Sequence, residues 1–206
     1  MMLDLADYRR RVHALYASVR DESQPIEVRR RHWIATRDEL FAHHPQTALS
    51  PEQVAAFDGL RYYQYDPAYR FLVDLEPIQD SETIKLPLQD DGEVQIRRVG
   101  RLHFDVAGQA AELSLYWVLG YAGGLSLPFR DTSAEEGNTY PGTRYLLDTI
   151  KGADLGQQQD KLVLDFNFTY NPSCAYHHRW HCPLAPQENW LDLPMPVGEQ
   201  AYPAAQ

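Results

Sequence analysis

The chain has 206 residues, 44% of them hydrophobic and 23% charged, with a formal net charge of −10. Such a length suits one sizeable domain, and the composition supports a packed core rather than global disorder. The acidic balance argues against a nucleic-acid partner, which needs a basic face to displace counterions.

The N-terminal quarter reads as helical. Leu5, Tyr8, Val12, Leu15, Tyr16 and Val19 recur at steps of three and four, which places them on one helix face. That stripe serves a homodimer as readily as a core. A second helix opens with Pro25 in its first turn, runs through Trp33, Ile34, Leu40 and Phe41, and ends at His43-His44-Pro45. Ser50-Pro51-Glu52-Gln53 is a capping-box start for a short third helix that Gly59 stops. Basic clusters at Arg9 to Arg11 and Arg29 to Arg31 fall on these helices and read as solvated faces.

From about residue 60 the period changes to two. Tyr69, Phe71, Val73 and Leu75 alternate, as do Ile84, Leu86 and Leu88, then Val94 and Ile96 across the Asp90-Asp91-Gly92 turn. Leu102, Phe104 and Val106 face Leu113, Leu115 and Trp117 across Gly108, and Leu125, Leu127 and Phe129 follow Gly123-Gly124. Leu162, Leu164, Phe166, Phe168 and Tyr170 give the longest alternation, with Asp165, Asn167 and Thr169 on its opposite face. The expected fold is α+β and mainly β. An antiparallel meander curls into a barrel or half-barrel, and the N-terminal helices pack outside it or over one end. Residues 1–58 form a helical segment packed on the β domain of residues 59–206, as one unit, and the proline-rich tail after Trp190 is extended.

No hydrophobic run approaches the ~18 to 20 residues of a membrane span, and Met1-Met2-Leu3-Asp4 lacks the basic and apolar regions of a secretory leader. The expectation is a cytoplasmic protein with reduced thiols and no membrane partner.

Two long irregular stretches, residues 130–145 and 171–190, carry the candidate chemistry. Cys174-Ala-Tyr-His-His-Arg-Trp-His-Cys182 holds both cysteines and three of the eight histidines. Cys174, His177, His181 and Cys182 have spacings that a tight zinc loop can use, with His178 as an alternative and His103 as a remote donor. Buried thiols or a disulfide explain the same residues, and zinc is the less favoured reading. No nucleophile elbow and no phosphate-cradling glycine loop is present. Arg144 beside Tyr145 can clamp a carboxylate or phosphate through its planar fork, or pair with Asp131 or Asp165 and anchor the loop.

Phe129-Arg130-Asp131-Thr132, Thr139-Tyr140 with Gly142 and Arg144-Tyr145, Leu164-Asp165-Phe166-Asn167, and Tyr170-Asn171-Pro172-x-Cys174-Ala175 resemble the domain-of-unknown-function family 1684. So do Cys182-Pro183-Leu184 with Pro186, Glu188 and Asn189, and upstream Phe57-x-Gly59-Leu60 and Tyr65-Asp66-Pro67-x-Tyr69-Arg70. The resemblance covers nearly the whole chain. It implies one intact domain of bacterial or archaeal type and no established activity. The family pattern shares the two cysteines but not the histidines between them, which weakens a zinc site and shifts attention to Cys174, Cys182, Glu188 and Asn189 beside Arg144 and Asn167.

The favoured reading is a small-molecule-binding β-barrel-like domain, closed by the two loops and lined by Arg144, Tyr145, Asp165, Asn167, Asn171, Glu188 and Asn189. A hydrolase is the first alternative, with Glu188 or Asp165 as general base and Arg144 stabilising negative charge, aided or not by a metal. The second is a structural or interaction protein whose motifs only lock the C-terminal loop.

Overall fold

A computed structural model describes residues 2–79, 81–88, 92–136 and 138–203. Helix α1 (Met2–Arg20) buries Leu15, Tyr16 and Val19, the C-terminal half of the expected stripe, while Leu3 and Leu5 stay exposed. Helix α2 (Ile26–His43) follows Pro25 and ends where His44 turns extended, as a following proline requires. Its Trp33 is fully buried and meets Tyr62 and Phe168 edge-on, with ring centroids 5.3 and 5.4 Å apart. Helix α3 (Pro51–Ala55) carries the expected capping box, Ser50 accepting from the Gln53 amide and the Gln53 side chain from Ser50. No helix among the described residues is long and apolar enough to cross a membrane.

Among the described residues nine strands follow: β1 (Arg70–Val73), β2 (Leu75–Pro77), β3 (Thr83–Pro87), β4 (Glu93–Val106), β5 (Gln109–Val118), β6 (Gly124–Phe129), β7 (Arg144–Asp148), β8 (Gln157–Gln158) and β9 (Lys161–Asp165). All their pairings are antiparallel. The long β4 pairs with β3 along its first half and with β2 along its second, and β5, β6 and β7 complete a six-stranded sheet. Strands β1, β9 and β8 form a second sheet of three. The β4–β5 hairpin turns at Ala107-Gly108, both at positive φ, and sets Leu102 opposite Leu113 as the alternation predicts. In the expected Asp90-Asp91-Gly92 turn, Asp90 and Asp91 lie outside the described residues, but β3 and β4 pair on either side of it.

The α+β, mainly antiparallel arrangement with N-terminal helices is as expected, and both sheets are open in the described pairings. One expectation needs correction: the alternation from Leu162 to Tyr170 is not one strand. At Asp165 the side chain accepts from the Asn167 amide at 3.1 Å, and residues Phe166–Phe168 wind into a 3-10 turn. A local side-chain hydrogen bond outcompetes the ladder, and Asp165, Asn167 and Thr169 are as buried as the phenylalanines between them.

Residues from α1, α2 and both sheets share one core cluster, centred on Phe104, Phe129, Phe166 and their neighbours. The tail is extended, as expected, but it is not a solvated appendage: Leu193, Met195, Val197 and Glu199 are buried. It crosses the 3-10 turn at Gly198, whose φ is +79° and where an added Cβ would lie 2.8 Å from the Thr169 carbonyl oxygen. No other residue type fits that crossing without displacement.

Candidate functional site

The candidate residues separate into four clusters with different partners. Arg144, the first residue of β7, is wholly buried. One Nη2 donates to Asp131 Oδ2 at 2.5 Å and to the Met195 carbonyl at 2.9 Å, and Nη1 donates to the Val197 carbonyl at 2.8 Å. Asp131 Oδ1 accepts in turn from the Met195 and Ser133 amides and from the Ser133 hydroxyl. The guanidinium, stacked 4.9 Å from the centroid of Phe129, therefore holds the tail against β7. Its planar fork does clamp a carboxylate, but that carboxylate is the protein's own.

Asn189 is equally buried and acts as a staple. Its Oδ1 accepts from the Ser114 amide at 2.7 Å, while Nδ2 donates to the Ser114 and Pro128 carbonyls at 2.9 and 2.7 Å. The neighbouring Glu188 accepts from Arg98 and, at 2.8 Å, from the Tyr116 hydroxyl. Burial would raise its pKa, but the backbone, Arg98 and Tyr116 hydrogen bonds prevail and hold it below the usual carboxylate range. Asn171 is tied to the tail through the Glu199 carboxylate and the Gln200 carbonyl, and Tyr145 donates to the Pro183 carbonyl at 3.0 Å.

Asn167 and Asp165 form a third cluster. Asn167 exchanges hydrogen bonds with the Asp66 backbone, accepting at 2.8 Å and donating at 2.8 Å, and donates from Nδ2 to Asp165 Oδ1. Tyr65 donates to Asp165 Oδ2 at 3.0 Å. Burial raises the Asp165 pKa against these bonds. Arg144, Asn167 and Glu188 thus have no partner in common, and the base-plus-arginine arrangement of a hydrolase is not assembled from them.

Asp165 does, however, reach a cleft. About 250 Å³ in volume, this cleft lies among Arg20, Glu22, Arg29, Arg70, Gln157 and Asp165, with Val19, Leu155, Val163 and Phe168 as its apolar wall. Its arginines come from three elements, the end of α1, the first turns of α2 and the start of β1. Arg29 spends Nη1 on the Val19 carbonyl at 2.6 Å and leaves its buried Nε without an acceptor. Arg70 donates to Gln158 and lies 3.7 Å from Glu22 and 3.9 Å from Asp165. The basic cluster Arg29 to Arg31 is therefore only partly the solvated face that its helical setting suggests: Arg30 is buried, and Arg29 lines the cleft. The signals for this cleft in the sequence are Asp165, the Arg29 to Arg31 cluster and the Tyr65–Arg70 segment, which supplies Arg70.

The fourth cluster is the cysteine loop. Cys174 and Cys182 are free thiols, both half-buried. The rings of His177 and His178 stack on each other at 4.4 Å, and among the described residues no group of three or more His, Cys, Asp or Glu is placed to hold a metal ion. Cys174, His177, His181 and Cys182 are not brought together as a ligand set. The loop is instead fixed to the α2–α3 connection and to α3: Arg179 donates to the Leu49 carbonyl, Trp180 to that of Ala48, and Gln53 of α3 to that of Tyr176.

No curated protein matches the chain. Among solved structures, it is similar to an uncharacterized protein from gene locus rrnAC0354 of Haloarcula marismortui, determined by solution NMR. The TM-score is 0.58 at 29% identity, covering 84% of this chain and 93% of that one. A family model described as "Protein of unknown function (DUF1684)" matches residues 55–200, which takes in the sheets, the clamp, the cysteine loop and the buried tail. The chain belongs to the DUF1684 family.

Proposed function

We propose that this protein binds a small oxyanion-bearing molecule, a carboxylate or phosphate, in the cleft between α1, α2, β1 and β9. The observation that carries this reading is the convergence of Arg20, Arg29 and Arg70 on one concave surface. Three guanidinium groups face two carboxylates among the lining residues, and Arg20 also lies 3.7 Å from Asp154. Guanidinium groups match oxyanions in geometry as well as charge.

The cleft is smaller than the ~300–1,000 Å³ of drug-sized pockets, which restricts the ligand to a small metabolite. Binding fits the geometry better than hydrolysis does. Both Asp165 oxygens already accept hydrogen bonds, from Tyr65 and from Asn167, which suits a fixed recognition group rather than a mobile base. Isothermal titration with inorganic phosphate and a series of short carboxylates tests the reading. At least one should bind the native chain and weaken about tenfold or more in Arg29→Met and Arg70→Met, the loss expected for a charge-assisted hydrogen bond. Equal affinity in native and Arg29→Met protein, or no binding by any of the series, would sink it.

A further inference from the structure

The cleft carries both signs of charge, and its carboxylates restrict the ligand further than its arginines do. Arg70 and Asp165 are register partners across β1 and β9, so their side chains leave the same face of the small sheet, with Val163 beside them. Glu22 approaches from the turn that joins α1 to α2. Gln158 links the two sides: its Oε1 accepts from Arg70 Nη2 at 2.8 Å, and its Nε2 donates to Glu22 Oε2 at 2.9 Å. Arg70 itself stands 3.7 Å from Glu22 Oε1 and 3.9 Å from Asp165 Oδ2, beyond hydrogen-bond reach of either. Arg70 therefore saturates neither oxygen.

We propose that the cleft binds a zwitterion, a free α-amino acid with a small apolar side chain. This ligand class rests on the oxyanion-binding reading of the same cleft and narrows it. Arg29 and Arg70 hold the carboxylate, Glu22 accepts from the ammonium group through Oε1, and Val19, Leu155, Val163 and Phe168 cover the side chain. Asp165 is the poorer ammonium acceptor, because it is buried and its oxygens are already held by Tyr65 and Asn167. The Glu22 side chain is 51% exposed and open to an incoming molecule.

Charge balance favours this class over a plain anion. Arg20, Arg29 and Arg70 are offset by Glu22, by Asp165 and by Asp154, which lies 3.7 Å from Arg20. A ligand with a net negative charge tips that balance, whereas a zwitterion preserves it while meeting both signs. Glu22 is thus a specificity-determining residue with two effects. It forms a charge-assisted hydrogen bond with an ammonium group, and it repels an acid that lacks one. The four apolar side chains of the wall offer no hydrogen bond, so a polar substituent set against them is dehydrated without a partner.

The test is isothermal titration of the full chain with alanine, valine and leucine, each set against the acid that lacks only its ammonium group: propionate, isovalerate and isocaproate. Native protein should bind at least one amino acid about tenfold or more tightly than its paired acid, the difference expected for one charge-assisted hydrogen bond. Glu22→Gln should abolish that preference by weakening the amino acid and sparing the acid, while Arg29→Met weakens both. An acid or inorganic phosphate that binds as tightly as every amino acid overturns the zwitterion and leaves the oxyanion reading standing. So does a preference that Glu22→Gln leaves unchanged. Native protein that binds no amino acid, no acid and no phosphate overturns both. Near-ultraviolet circular dichroism of each variant separates a folding defect from a lost contact, and the native-protein comparison is decisive without any variant.

Discussion

Arg37 on α2 donates through Nη2 to Glu199 Oε2 at 2.6 Å, joining the helical layer to the C-terminal tail across most of the chain. Both are largely or fully buried, and Glu199 also accepts from the Tyr176 hydroxyl and the Asn171 amide. Arg37 donates further to the Tyr62 hydroxyl and lies over the Trp33 ring. Removing one member strands a buried charge, so Glu199→Ala should lower stability by about 3–5 kcal/mol in urea denaturation. Replacing both, Arg37→Met with Glu199→Leu, should lose less than the sum of the single losses. Additive losses would show that the pair does not act as a unit.

The Arg144–Asp131 clamp should behave differently from a ligand-binding arginine. Arg144→Lys removes the fork that reaches Asp131, Met195 and Val197 together, so tail amides near residues 193–199 should exchange with solvent faster in the variant. Affinity for the cleft ligand should change little. Unaltered tail protection in Arg144→Lys would refute the clamp.

Asn189 has three backbone partners and no exposed surface. Asn189→Ala strands the Ser114 and Pro128 groups at about 1–3 kcal/mol each, and Asn189→Asp cannot donate to the two carbonyls. Thermal denaturation should show both variants well below the native protein, whereas a surface asparagine would tolerate either change.

Two carboxylates predict opposite pH limbs. Burial raises Asp165 above its ordinary value of 3.8, so its contribution is fully present below that value and is lost as pH rises through the folded-state pKa. The pKa of Glu188 is depressed from 4.5, so its contribution is present above 4.5 and is lost as pH falls through the folded-state pKa. Melting temperatures measured across the acidic range should lose the first dependence in Asp165→Asn and the second in Glu188→Gln. A variant that retains its parent's limb contradicts that assignment.

Gly198→Ala is the sharpest test of the tail's path, because its positive φ and the Thr169 and Phe166 carbonyls both oppose a side chain. Denaturant unfolding should place it among the most destabilised single substitutions in the chain. A near-native midpoint would mean that the tail crosses elsewhere.

Periodicity in the sequence sufficed for α1 and α2, the α3 cap and the β3–β4 and β4–β5 hairpins, because each is decided within a few residues by capping, proline or alternation. It failed at Phe166–Phe168, where alternation continues but the Asp165 side chain turns the backbone. It does not decide sheet closure, which depends on which strand edges meet rather than on any strand's own pattern. The sequence singles out the candidate residues by type and setting, yet their hydrogen-bond partners lie far away in the chain. Arg144 meets Asp131 and the tail, Asn189 meets β5 and β6, and Arg20, Arg29 and Arg70 converge from three elements. By itself the sequence determined the local elements and the polar residues needing an explanation. Only the tertiary structure decided which of those residues are consumed by the protein's own buried groups and which face a cleft, since hydrogen-bond partners far apart in the chain are fixed by packing.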